Sequence, residues 1–471
     1  MDYAMFVSKP KSMVVAPAGY GKTHAIAECL KYTIGRQLIL THTHAGVASL
    51  KDKIQELGIK ADKYRVETIT SFSQKYVKAF YCGQDVPDQE NSEAYYPFLI
   101  EKAQCIFKMA PVCNVIKETY SGLFVDEYQD CTKNQHELIG SLIDILPTRI
   151  LGDYLQGIFN FNNQTLVDFD TDLDGFERLP NLSIPWRWKN TNPNLGNELT
   201  KIRESLEGNI NIDLTLHESH IEVLQIKEQD KFIYNSNYNK RIWDLTRENN
   251  VLIIHPDSTN LAVRKDFVSR FNNAFNLVEA IDSKNFYEFS RKLDTINTAN
   301  VFSVLYNLIP DIFNGTSSRD KWFNQSGIKR KSDKNDAALI APIGDDINLL
   351  KQKVSFNLIV KVLRDVKKLP DIRCWRTELF WDLCKALEQA EHKNIAIYEA
   401  MKQIRNVKRR VGRNVGGKCI GTTLLTKGLE FDVVAVLDAH KFRCRKNFYV
   451  AITRACKKLI IFTNNKTFTF T

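Results

Sequence analysis

The 471-residue chain has no apolar run of the roughly 18 residues that a membrane-crossing helix needs. Its opening stretch, Met1 to Lys11, lacks the basic region and long apolar segment of a secretory leader. Both absences point to a cytoplasmic protein that does not use a membrane. The ten cysteines are scattered singly, with no Cys-x-x-Cys pair and none between 132 and 373, which suits reduced core thiols far better than a disulfide frame or a zinc site. Only 21 glycines and 13 prolines occur, no tract is of low complexity, and nothing repeats at solenoid period. With 44% hydrophobic and 25% charged residues, what remains is a globular chain long enough for about two to four cored domains.

Basic charge is present and unevenly spread. Residues 401–471 carry 16 Lys and Arg against 3 Asp and Glu, whereas the first 400 are close to balance, 49 against 52. A concentrated basic face is the footprint of a polyanion binder, although a solvated surface or a contact for an acidic protein would carry the same charge.

Met13-Val14-Val15 is a short β-branched run, followed by Ala16-Pro17-Ala18-Gly19-Tyr20-Gly21-Lys22-Thr23 and a helix-like stretch from Ala25 to Tyr32. Strand, glycine loop and helix in that order make a phosphate cradle. Gly19 and Gly21 let the backbone approach an anion, N–H groups at the helix start face it, Lys22 reaches the outer phosphates, and Thr23 can hold Mg²⁺. Ala16 stands where the usual first glycine would be. A second apolar run, Leu123-Phe124-Val125, ends in Asp126-Glu127. A carboxylate in that position can hold the metal, and its neighbour can orient the attacking water; Asp126 fits the first role and Glu127 the second.

Asp126-Glu127-Tyr128-Gln129-Asp130 followed by Gln135 resembles the second motif of the UvrD/Rep/PcrA group of superfamily 1 helicases. Further motifs of that group are matched in order: Leu151 to Phe161 resembles motif III, Ile184-Pro185-Trp186-Arg187-Trp188 motif IV, Thr422 to Asp432 motif V, and Tyr449 to Ala455 motif VI. Weaker matches are Thr41 to His44 for motif Ia and Thr68 to Phe72 for motif Ib.

The resemblance implies an α/β protein of two tandem RecA-like P-loop NTPase domains with helical insertions, hydrolysing ATP with Mg²⁺ on single-stranded or tailed duplex DNA, 3′ to 5′. The first domain would be residues 1–180 with a short insertion about 73–118, and the second 181–471 with an insertion about 282–400. By the same resemblance, Gln156 senses the γ-phosphate, Arg187 and Arg454 are its arginine fingers, Glu430 joins the nucleotide site, and His42, Phe72, Phe159 and Phe161 contact DNA. Phosphoryl transfer is mostly positioning and charge stabilisation, so a finger can contribute roughly 10³ to 10⁵ in rate. Arg187 and Arg454 are far from Lys22 in sequence, which places the expected nucleotide in a cleft between the two domains.

The chain also departs from the group. No glutamine precedes Ala16, so adenine preference has no visible basis, and His44-Ala45, Asn162, Leu424 and Arg443-Cys444-Arg445 replace residues that touch DNA coupling. Hydrolysis is therefore expected more firmly than unwinding. A second reading is a DNA-gated ATPase subunit that regulates or recruits a partner nuclease, as in Gabija-like anti-phage systems. The segment Asn314 to Asp336, polar and carrying Lys329-Arg330-Lys331, is expected to be an exposed loop.

Overall fold

The computed structural model describes residues 1–87, 91–159, 164–256, 260–279, 284–313, 316–411 and 415–470. The chain forms two compact units, Met1–Asp230 with Thr426–Thr471, and Lys231–Leu425.

The first unit is built on a six-stranded sheet of β1 (Lys11–Val15), β2 (Gln37–Thr41), β3 (Tyr64–Thr68), β4 (Gly122–Val125), β5 (Thr148–Gly152) and β6 (Glu177–Arg178), in the order β3-β2-β4-β5-β1-β6. All its pairings are parallel. The central strands are apolar on both faces because helices cover both, and Val14, Leu38, Ile39, Leu40, Phe124 and Val125 are fully buried. Each such side chain contributes about 1.5–3 kcal/mol relative to exposure. The apolar runs at 13–15 and 123–125 therefore become the inner strands β1 and β4, whose C-terminal ends carry the phosphate loop and the acidic pair.

Helices Ile69–Phe80, Ser92–Phe107 and Ala110–Thr119 fill the stretch between β3 and β4. They pack Tyr76, Leu99, Phe107, Val112 and Ile116 into the same core as Leu38 and Val125. Parallel pairing recurs elsewhere in this unit, where Ala455–Thr463 lies between Phe431–Val436 and Glu222–Gln225.

In the second unit, Lys418–Gly421 pairs in parallel with Val251–Ile254 and Asn276–Leu277. The rest is mainly helical, from Lys284–Asp294 to Ile397–Val411, around a core that includes Phe286, Leu305, Ile343, Leu363, Leu383 and Ile397. The expected α/β class, with parallel sheets and helical insertions, is the one observed. The expected loop at Asn314 to Asp336 is instead ordered in its described part. A helix, Thr316–Trp322, leads into a two-stranded hairpin, because Trp322 and Phe323 are buried anchors and Asn324 Oδ1 accepts from the Ser326 and Gly327 amides to make the turn.

Candidate nucleotide-phosphate site

The loop after β1 is shaped before any side chain acts. The Ala16 amide donates to the Gly152 carbonyl at 2.8 Å, and the Tyr20 amide to the Pro17 carbonyl at 3.1 Å. Gly19 and Gly21 both have left-handed φ, +77° and +83°, and Gly21 caps the helix Lys22–Cys29. Gly19 has a second reason to lack a side chain, since a Cβ there would lie 2.8 Å from the Trp188 ring. The Arg187 amide donates to the Gly19 carbonyl at 3.0 Å, so the Trp186–Lys189 helix is seated directly on the loop.

Three charged groups meet beneath it. Lys22 Nζ lies 3.1 Å from Glu127 Oε1, and Gln129 Nε2 donates to the other carboxylate oxygen of Glu127. Glu127 itself is held at φ 55°, a left-handed conformation uncommon for a residue with a side chain. Its amide donates to Asp126 Oδ1 at 2.9 Å. Burial, reinforced by the adjacent Glu127 charge, pushes the Asp126 carboxyl up to about 7. Burial also acts to raise Glu127, but Lys22 and Lys427 outweigh it and hold that carboxyl down at about 2. Lys22 is correspondingly raised; burial opposes this, and Glu127, Asp153 and Asp126 overcome it.

The two expected fingers arrive from distant segments of the same unit. Arg187 Nη2 lies 2.6 Å from Glu430 Oε1, its Nη1 donates to the Thr453 carbonyl, and its Nε is buried without a hydrogen-bond partner. Arg454 is 1% exposed and donates through Nε to the Val450 carbonyl at 3.0 Å and through Nη2 to Gln156 Oε1 at 3.4 Å. Burial and then the positive charge of Arg187 pull Arg454 down to about 10. Two repelling guanidinium groups, one of them within electrostatic reach of the Glu127 that pairs with Lys22, make a place that an anion would stabilise.

Gln156 is buried and gives its Nε2 to Asp153 Oδ2 at 2.9 Å, while its carbonyl accepts from Lys427 Nζ at 2.6 Å. Lys427 also grips Asp130, 2.6 Å from Oδ1. For a metal, the chemistry of the donor set fits Mg²⁺: a half-buried Thr23 hydroxyl on the helix after the loop, and a buried Asp126 carboxylate, both hard oxygen donors. Among the described residues no three His, Cys, Asp or Glu side chains gather as a self-sufficient metal cage, so nucleotide oxygens would have to complete the shell.

The expected DNA contacts are placed less uniformly. Phe72 requires correction: it is fully buried, packed 4.9 Å from Tyr76 and 5.6 Å from Phe107 by ring centroids, and offers no face to a base. The reason is its helix, Ile69–Phe80, which turns Phe72 and Tyr76 together into the core. His42 is half-buried, with Nε2 3.4 Å from Cys131 Sγ, and burial followed by the Lys427 charge lowers its ring to about 3, so it is neutral. Phe159 is half-buried with Lys427 Nζ 4.6 Å from its centroid, and Phe161 lies outside the described residues. Part of the basic excess is spent internally: Arg405 and Lys408 pair with Glu378 and Asp382, and Lys441 with Asp438.

Three features escaped the sequence reading. Trp186 is 47% exposed beside Gly21, with Lys189 Nζ 4.2 Å from its ring. Lys427 joins the end of the second motif to the carbonyl of Gln156. Arg203 links Asp153 and Tyr449 in a buried network. The tryptophan was visible as an aromatic beside the finger; the contacts of the two cations to Asp130 and to the Tyr449 hydroxyl close across 297 and 246 residues and have no local signature.

Residues 3–95 and 84–172 match the family model of the UvrD/REP helicase N-terminal domain. No curated protein matches the chain. Among solved structures, it is similar to the complex of Arterivirus nonstructural protein 10 (helicase) with DNA, at 11% identity and TM-score 0.36, covering 98% of this chain and 63% of that one. It is also similar to the PRRSV helicase, at 11% identity and TM-score 0.34, covering 98% of this chain and 54% of that one. The chain thus spans about 63% and 54% of the lengths of these two proteins. Its N-terminal part is UvrD-like.

Proposed function

Starting from a UvrD/REP helicase N-terminal domain over residues 3–95 and 84–172, we propose that this chain is an ATP-dependent translocase or helicase on single-stranded DNA, with 3′ to 5′ polarity by family resemblance. The observation that carries the reading is the meeting of Lys22, Glu127, Arg187 and Arg454 around one phosphate loop, from segments up to 432 residues apart.

The ion pairs suggest an order of events. An arriving triphosphate competes with Glu127 for Lys22, and with Glu430 and Gln156 for the two guanidinium groups. Losing Lys22 frees the Glu127 carboxylate to orient a water in line with the γ-phosphorus, while Arg187 and Arg454 neutralise charge on the transferring group. Mg²⁺, held by Thr23 and Asp126, would supply charge neutralisation between the outer phosphates. After the bond to the γ-phosphate breaks, Arg454 returns to Gln156, whose carbonyl rests on Lys427 and thereby on the side of the Phe159 ring. That chain of contacts gives hydrolysis a route to a strand-contacting aromatic. The exposed Trp186 ring beside Gly21 is the proposed seat for the base.

The test is ATP turnover with and without single-stranded DNA, beside displacement of a strand from a 3′-tailed duplex. DNA-stimulated turnover with displacement is expected. Stimulation without displacement would favour a DNA-gated ATPase subunit serving a nuclease, and turnover indifferent to DNA would refute the motor. Arg454→Ala is expected to keep nucleotide binding and lose roughly 10³-fold or more of stimulated turnover.

A further inference from the structure

We propose that Arg203 is a positioning residue for the phosphate loop: it fixes Asp153 and Tyr449 as paired acceptors of the Ala18 amide and, through Asp153, fixes the side-chain amide of Gln156. The inference rests on the nucleotide reading above and concerns a residue outside every motif that suggested it.

Arg203 stands on the helix Pro193–Glu207 and is 5% exposed. Its Nη1 donates to Asp153 Oδ2 at 2.9 Å and to the Tyr449 hydroxyl at 2.8 Å, its Nη2 lies 2.9 Å from Asp153 Oδ1, and its Nε lies 2.8 Å from Glu207 Oε1. The guanidinium carbon is 5.1 Å from the Tyr449 ring centroid and 5.6 Å from that of Tyr154. Both groups that Arg203 holds also accept from one and the same backbone amide. The Ala18 amide donates to Asp153 Oδ2 at 3.1 Å and to the Tyr449 hydroxyl at 3.2 Å. The same Asp153 oxygen accepts from Gln156 Nε2, whose partner oxygen receives Arg454. A second tie between helix and loop runs 2.6 Å from Thr200 Oγ1 to the Tyr20 hydroxyl.

The consequence is directional. Asp153 is fully buried, so without Arg203 its carboxylate loses the guanidinium bonded to both its oxygens, keeps only the pull of Lys22 as counter-charge, and is no longer held in place to receive the Ala18 amide. The loop then loses the fixed peptide orientation on which a preorganised anion cradle depends. Arg203 touches no proposed substrate atom. Its effect passes through Ala18 to nucleotide affinity and through Gln156 to turnover.

The experiment compares wild type, Arg203→Lys, Arg203→Met and Tyr449→Phe by hydrogen exchange of the 16–21 segment without nucleotide, by affinity for a non-hydrolysable ATP analogue, and by kcat. Arg203→Met is expected to speed exchange at Ala18 and weaken the analogue about tenfold, the scale of one charge-assisted hydrogen bond, with kcat falling as well. Arg203→Lys should restore most of both. Tyr449→Phe leaves the Arg203–Asp153 pair in place and should produce a smaller loss of the same kind. The Arg203→Met/Tyr449→Phe double variant should bind no worse than Arg203→Met alone, since both act on one amide. Wild-type exchange at Ala18 in every variant, or affinity losses that simply add, would overturn the inference. If Arg203→Met does not fold, Arg203→Lys and Tyr449→Phe decide it. Wild-type protein without affinity for the analogue would end the phosphate-site reading and this inference together; wild-type binding with indifferent variants would end the inference alone.

Discussion

The phosphate-loop region of the first unit and the helical body of the second both bury arginine and carboxylate groups, but they arrange them differently. In the helical body Arg405 is fully buried, with Nη1 2.6 Å from Asp382 and 3.2 Å from Glu378, its guanidinium 3.7 Å from the Phe286 centroid, and Lys408 bonded to the same two acids. Two cations and two anions alternate and satisfy one another. Around the loop, opposite charges pair as well, but like charges are also neighbours: Asp126 beside Glu127, Arg454 beside Arg187. Buried charge by itself is therefore a structural feature of this protein. Like-charged neighbours, which add to burial in raising Asp126 and lowering Arg454, are what separate a place prepared for a ligand from a place already complete.

The comparison is sharpest at Glu127. Glu127→Gln should cut turnover about 10²- to 10⁴-fold while leaving nucleotide affinity at or above wild type, since a competitor for Lys22 is removed, measured as kcat against the Kd of an ATP analogue. Full activity in that variant would put the water-orienting role elsewhere. Arg405→Ala should do the reverse. Leaving Asp382 and Glu378 short of a counter-charge costs about 3–5 kcal/mol, seen as a lower denaturant midpoint, with kcat of the folded protein retained.

A third difference is pH. The raised Asp126 carboxyl binds its proton more tightly folded than unfolded, so its contribution to stability is full below its unfolded value of about 4 and is lost as pH rises through about 7. A divalent cation with nucleotide reverses that loss by favouring the ionised form. Stabilisation by the Mg²⁺–nucleotide pair, read as a shift in melting temperature, should accordingly be larger at about pH 8 than at about pH 6. The smallest effect is expected at Trp186→Ala. Losing one stacking surface is worth about 1 kcal/mol, a few-fold in analogue affinity, with kcat unchanged.

Much of the catalytic face was legible because it is written locally. The apolar runs at 13–15 and 123–125 become inner parallel strands, and glycine is required at 19 and 21 by positive φ and, at 19, by the approach of Trp188. Phe72 misled because a phenylalanine at the start of an amphipathic helix reads the same whether it meets a base or Tyr76. The order in the described part of Asn314 to Asp336 was hidden by its polar composition, which outweighed two adjacent aromatic anchors, Trp322 and Phe323. Arg203 and Lys427 were invisible for a more general reason. An ion pair that closes across 50 residues, as Arg203 does to Asp153, or across 297, as Lys427 does to Asp130, leaves no periodicity, so only the folded chain reveals which of these carboxylates each cation selects.

The two tryptophans flanking the Arg187 position differ in solvent contact: Trp188 is sealed against the loop, whereas the indole of Trp186 stands in water next to Gly21. Intrinsic fluorescence should therefore report occupancy without any attached dye. A quench or blue shift on adding nucleotide, absent once position 186 is changed to phenylalanine, would let the filling of the pocket be timed in a stopped-flow cell while DNA is being engaged.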